Sequence, residues 1–139
     1  MPGSISSDDI EAVYPRVAKA IAAALARDTA EVRLESVLVA DLEAESIDLL
    51  DIIFRLENEF NIQIPRGQYI EDARGDLSEA EFEDQGVLTD AGLEQLREYL
   101  NEVPLENFRP RMKLGDVPTL FTVKTMCKMV VRAMRTSRA

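Results

Sequence analysis

Apolar residues near the start of the chain recur at helical spacing. Ile10, Val13, Val17, Ile21 and Leu25 fall on one side of a helix. Ser6 or Ser7, followed by Asp8 and Asp9, supplies its start, because acids favour the positive end of the helix dipole. Pro15 interrupts the pattern, so either the helix kinks there or the main helix begins near Tyr14. From Arg27 to Ala44 no period lasts, although Val32, Leu34, Val37, Leu38, Val39 and Leu42 are apolar. This predicts a long loop pinned into the core by aliphatic side chains, rather than a strand.

A second amphipathic helix is predicted in the stretch "LEAESIDLLDIIFRLENEF", with Leu49, Ile53, Leu56 and Phe60 on its apolar face. Asp48, Asp51 and Glu59 lie off that stripe, and Pro65 closes the segment after "NIQI". Residues Arg66 to Asp84 are polar, acidic and broken by glycine, which predicts a loop with at most short helical turns. "LTDAGLEQLREYL" predicts a third helix, capped by Thr89 and stapled by Leu88 against Leu93, with Leu93, Leu96 and Leu100 buried. After a loop containing Pro110, Gly115 and Pro118 comes the last helix, "TVKTMCKMVVRAMR". Val123, Met126, Val130 and Met134 form its apolar face, and Lys124, Lys128, Arg132 and Arg135 are expected toward solvent. The fold class expected is all-α: a small four-helix bundle with long loops.

Charge narrows the functional choices. The 139-residue chain carries a net charge of −10, which argues against general nucleic-acid binding and for basic protein partners. Through Asn107 there are 8 Lys and Arg against 25 Asp and Glu; from Phe108 onward 8 stand against Asp116 alone. That basic C-terminal segment folds back on an acidic body, meets a second partner, or is simply a solvated basic face on the last helix. A single cysteine rules out an internal disulfide framework and suits a reducing compartment. Neither a signal-peptide pattern nor a membrane-length apolar run is present, so a cytoplasmic protein without stable membrane insertion is expected.

The chain contains no histidine, which excludes nucleophiles of the His-activated kind and His/Cys metal sites. It has no Gly-rich phosphate loop, and its acid runs read as solvated helix faces, so an enzyme is not expected. One hydroxyl stands apart. Ser46 opens the second helix, where free amides and the dipole favour an anion, although a serine there is also a good N-cap.

The residues around it settle the reading. "VLVADLEAESID", "ESIDLLDIIFRLENEF" and the closing "NIQIP" resemble the acyl carrier protein family, over Val17 to Pro65. "FTVKTMCKMV" is similar to that family's last helix. The resemblance implies that Ser46 bears 4′-phosphopantetheine, transferred from coenzyme A by a magnesium-dependent phosphopantetheinyl transferase. It also implies that Leu50, Ile53, Phe54, Leu56 and Phe60 form the core or line an acyl pocket. Glu45, Asp48, Asp51 and Glu57 would meet basic patches on acyl-transferring or acyl-synthesising enzymes. The protein is expected to be a monomer.

Several residues depart from the family pattern. Glu45 replaces an aspartate, Arg55 places a cation on an acidic helix, and Asn58 removes an acid; together they suggest a narrower set of partners. The segment at about 66–118 is far longer than usual and resembles that of certain long, specialised bacterial acyl carrier proteins, whose "LTxxGLxxLR" pattern occurs from Leu88 to Arg97. A single domain with this atypical insert is expected, the insert docking on the bundle near the acyl pocket or capping it for stability. The functional expectation is a specialised acyl carrier in fatty acid, lipid or related acyl biosynthesis. The alternatives are an aminoacyl or polyketide-type carrier, and an unmodified acidic adaptor.

Overall fold

A computed structural model describes residues 5–65 and 67–137. Arg66, the first residue of the expected loop, lies outside them, as do residues 1–4, the first of those over which no signal-peptide pattern is expected. The chain is mostly helical and divides into two compact units, Met1–Ile64 with Thr122–Ala139, and Pro65–Phe121.

The first unit is built on three helices. α1 runs Ser7–Leu25, α2 Ser46–Phe60 and α6 Val123–Ser137, with α1 packed against both others. Ser6 caps α1: its hydroxyl accepts the Asp9 amide at 3.2 Å, and the Asp9 carboxylate accepts the Ser6 amide at 2.9 Å. α1 continues through Pro15, whose ring faces solvent. The carbonyl that a helix-interior proline leaves unbonded can there be hydrated, so the helix neither ends nor restarts. Val17 and Ile21 are fully buried against the other helices.

The connection from α1 to α2 is the expected loop, with one 3-10 turn at Thr29–Glu31. Val32, Leu38, Leu42 and Ala44 anchor it in the core. Its backbone pairs with the entry to α6, where the amides of Val123 and Lys124 donate to the carbonyls of Ser36 and Leu34, each at 3.0 Å. Thr122 and Thr125 cap α6 reciprocally, each hydroxyl accepting the other's amide, at 3.0 and 3.1 Å. On α6 the expected solvent position of Lys128 is corrected. That residue is 9% exposed, on a helix buried on more than one side from Thr125 to Val131.

The second unit has its own core, centred on Phe82, Leu96, Leu100 and Val117. α3 spans Gln68–Arg74, α4 Glu79–Phe82 and α5 Asp90–Tyr99. α5 starts as expected, with the Thr89 hydroxyl accepting the Gly92 amide at 3.0 Å. The third helix of the expected four-helix bundle thus belongs to the insert, where it packs on α3 and α4. The loop expected from Arg66 to Asp84 is more ordered than its polarity suggests, since α3 makes about two turns.

A two-stranded antiparallel hairpin was also not expected. β1, Glu83–Asp84, pairs with β2, Val87–Leu88, around Gln85 and Gly86, both at positive φ. Val87 in turn bridges to Lys113. Tight approach fixes the neighbouring elements: a Cβ on Gly92 would lie 2.0 Å from the Phe82 carbonyl oxygen, so only glycine lets α5 pack this closely on the end of α4.

Candidate functional site

Ser46 is the first residue of α2, preceded by Glu45 as N-cap in extended conformation, so the serine is not itself the cap. The Glu45 amide is taken by the Asp48 carboxylate at 2.8 Å. No hydrogen bond among the described residues uses the Ser46 hydroxyl, and the residue is exposed. A cap hydroxyl would be engaged with a first-turn amide; this one is free to be modified. The opening amides of a helix have no intrahelical carbonyl, so an anionic group on Ser46 sits at the favourable end of the dipole.

The loop that presents Ser46 is held from behind by a residue whose role the sequence did not reveal. Arg27, just past the end of α1, donates through Nε to the Leu42 carbonyl at 3.1 Å. Its other nitrogens bind Glu31 at 2.7 Å and Glu43 at 2.8 Å. Glu43 has a φ of 61°, a left-handed conformation uncommon outside glycine, and the arginine holds that residue by both its side chain and the preceding carbonyl. Tyr14 adds a bond from its hydroxyl to the Val32 carbonyl at 2.6 Å. The signal was weak because a lone arginine after a helix reads as a solvated charge.

Along α2 the expected apolar face is displaced. Ile52 and Leu56 are fully buried, whereas Leu49, Leu50, Ile53 and Phe60 are half-buried. Ile52 was missed because the stripe was drawn at offsets of four, seven and eleven, and a buried helix face also takes offsets of three. Phe54 is corrected outright: it is 53% exposed, on the outer side of the helix with Ile47, which is 72% exposed. A residue so exposed does not line the bundle interior. An open hollow of about 450 Å³ lies at the end of α2, bordered by Glu57, Asn58, Asn61, Ile62 and Gln63. It is polar, and of the residues expected around an acyl chain it touches none.

The acids of α2 are not free in equal degree. Asp51 pairs with Arg55 at 3.1 Å. Glu57 accepts the Ile64 amide at 2.8 Å, closing the chain just past the helix, where Asn61 at a φ of 53° ends it. Glu59 pairs with Arg16 of α1 at 2.8 Å, and the Arg16 guanidinium lies 4.2 Å from the centre of the Phe60 ring. Glu45 and Asp48 flank Ser46 directly.

Cys127 is fully buried on α6, and burial pushes its thiol up to about 12. That excludes a thiolate nucleophile at neutral pH. Among the described residues no cluster of acids and cysteine suits a metal ion, and no helix is long and apolar enough to cross a membrane.

Residues 15–74 match the family described as "Phosphopantetheine attachment site". The acyl carrier protein of Clostridium acetobutylicum is 40% identical over 53 residues, which make up 38% of this chain and 69% of that protein. No solved structure matches significantly.

Proposed function

We propose, for a chain that belongs to the acyl carrier protein family and so takes 4′-phosphopantetheine, that Ser46 is the residue bearing that arm. The single observation that carries this reading is the free, exposed hydroxyl at the opening of α2, inside the matched segment. The residues present suit a phosphodiester: the hydroxyl is uncommitted, and the helix end offsets the added negative charge. When attached, the arm supplies a thiol that holds an acyl group as a thioester. The chain's own part is to present the serine on a loop braced by Arg27 and to offer α2 to partner enzymes.

The pathway we infer is fatty acid, lipid or related acyl biosynthesis, in which the protein acts as a specialised, non-catalytic carrier in the cytoplasm. Glu45, Asp48, Asp51 and Glu57 contribute to docking, and Leu50, Ile53, Leu56 and Phe60 border the acyl chain. Half-burial of Leu50, Ile53 and Phe60 supports that role, since groups between core and surface can part without unmaking the core. The unmodified adaptor is disfavoured by the hydroxyl itself, which makes no structural bond that would account for a serine there.

The test is intact mass. Incubation with coenzyme A and a broad-specificity phosphopantetheinyl transferase adds one phosphopantetheine to the wild type and none to Ser46→Ala. A wild-type chain left unmodified, under conditions that convert another carrier fully, contradicts the assignment.

A further inference from the structure

Carrier docking through a helix is commonly pictured as acid meeting base, yet in α2 all four acids already have a partner within the chain. Asp48 holds the Glu45 amide, Glu57 the Ile64 amide, Asp51 the Arg55 side chain, and Glu59 the Arg16 side chain. The four carboxylates of Ser46–Phe60 thus face one cation of their own helix and a second from α1. Beside them runs a strip of the opposite character. Ile47 and Phe54 are separated by seven residues, hence on one side of the helix, with half-buried Leu50 between them. The strip starts next to Ser46, and the ridge Asp48–Asp51–Arg55 lies alongside it.

We propose that Arg55 discriminates among partner enzymes, and that α2 fits a partner offering an apolar seat for Ile47 and Phe54 and a carboxylate for Arg55. The proposal rests on the carrier reading of Ser46 and specifies the chemistry of the enzyme that docks there. Exposed aromatic side chains serve as anchors when a partner supplies a desolvated pocket. The Asp51–Arg55 pair has side chains 44% and 45% exposed, so it is weak in water, and a partner carboxylate can take over the guanidinium. A partner with a purely basic groove meets Arg55 as a like charge beside Asp51, which lowers its encounter rate. The apolar part of that contact depends little on salt, because burial of apolar surface is not screened, whereas the carboxylate–Arg55 part weakens as salt rises.

The experiment uses the full chain, with a phosphopantetheinyl transferase of basic contact face as probe, and measures KM and kcat for arm attachment at low and high salt. Arg55→Glu is expected to lower KM about fivefold at low salt with kcat unchanged, the gain shrinking at high salt, as steering by charge requires. Arg55→Lys keeps the wild-type KM. Phe54→Ala, at a position too exposed to disturb the fold, raises KM about threefold at either salt if the strip is a contact surface. Attachment at Ser46 with KM unchanged in Arg55→Glu overturns the role of Arg55 alone, and an unchanged KM in Phe54→Ala overturns that of the strip. Absence of attachment in every variant overturns this proposal together with the reading of Ser46.

Discussion

Tyr69 and Phe121 meet edge to face with ring centroids 5.1 Å apart, one near the beginning and one at the end of the insert. The contact brings the two ends of a unit of more than fifty residues together from within. Closing a long loop costs entropy that grows only slowly with length, and a folded insert whose ends already touch avoids most of it. Phe121 is 4% exposed, so Phe121→Ala is expected to destabilise the second unit by about 3–5 kcal/mol. Chemical denaturation followed by tyrosine fluorescence measures this.

Tyr69 gives the insert an alkaline limit. Burial raises its phenol above the ordinary value of 10.0, so the unfolded chain loses the proton before the folded one does. Its contribution is complete below pH 10.0 and is lost as pH rises through the raised value. Tyr69→Phe is expected to flatten the stability profile above pH 10.0, and a variant that keeps the wild-type slope contradicts the assignment.

On the acid side the capping boxes set the behaviour. The Ser6 amide and hydroxyl hold the Asp9 carboxyl below 3.8, with Arg135 adding to the effect. Ser78 does the same for Glu81, relative to 4.5. Both carboxyls have depressed folded values, so their contributions are present above those ordinary values and are lost as pH falls through the folded ones. Melting temperature is expected to drop as pH falls below these ordinary values, 4.5 for Glu81 and 3.8 for Asp9. Glu81→Gln is expected to reduce that acid slope in the insert.

Arg27→Ala separates positioning from stability. It removes the bonds to the Leu42 carbonyl and to Glu43, and thereby frees the loop that presents Ser46. Arm attachment is expected to slow about tenfold at equal substrate concentration, the scale of a misplaced reacting group, while helix content changes little. Circular dichroism and single-turnover mass analysis measure the two effects side by side.

Gly92→Ala tests the insert as a folding unit. The new methyl would collide with the Phe82 backbone, which cannot yield as a flexible side chain would. The second unit is expected to lose at least about 2 kcal/mol, and hydrogen exchange to quicken in α4 and α5 more than in α1 and α2. Equal quickening in both units would show that they unfold together. Cys127 supplies a probe for the first unit: its thiol is expected to resist alkylating reagents in the native state and to react once denaturant exposes it.

Helices α1, α2, α5 and α6 were legible from their apolar periods, and α1 and α5 from their caps as well. Ser6–Asp9 and Thr89–Gly92 are local signals, and local signals survive folding. The insert's remaining structure was not legible for equally physical reasons. α3 carries a single buried residue, Ala73, too small to mark a stripe. The hairpin turns on Gln85–Gly86, without the Asn or Asp that usually announces such a turn. At the site, Ser46 stood out through its neighbours, whereas the Arg27 bonds to Leu42 and Glu43 and the Arg16–Glu59 pair depend on which side chains the fold brings close. Lys128 looked solvent-facing from its charge, and burial of that part of α6 overrode the pattern.

The carrier unit is interrupted in the chain, and protein synthesis runs in one direction. α1 and α2 leave the ribosome before the insert, but α6, against which α1 packs, leaves only after it. The insert has a core of its own that is complete before α6 is made, whereas the carrier core must wait for the whole of α6. Ser46 is therefore made early and framed late. A nascent chain arrested inside the insert carries Ser46 and α2 without α6, the helix against which α1 packs.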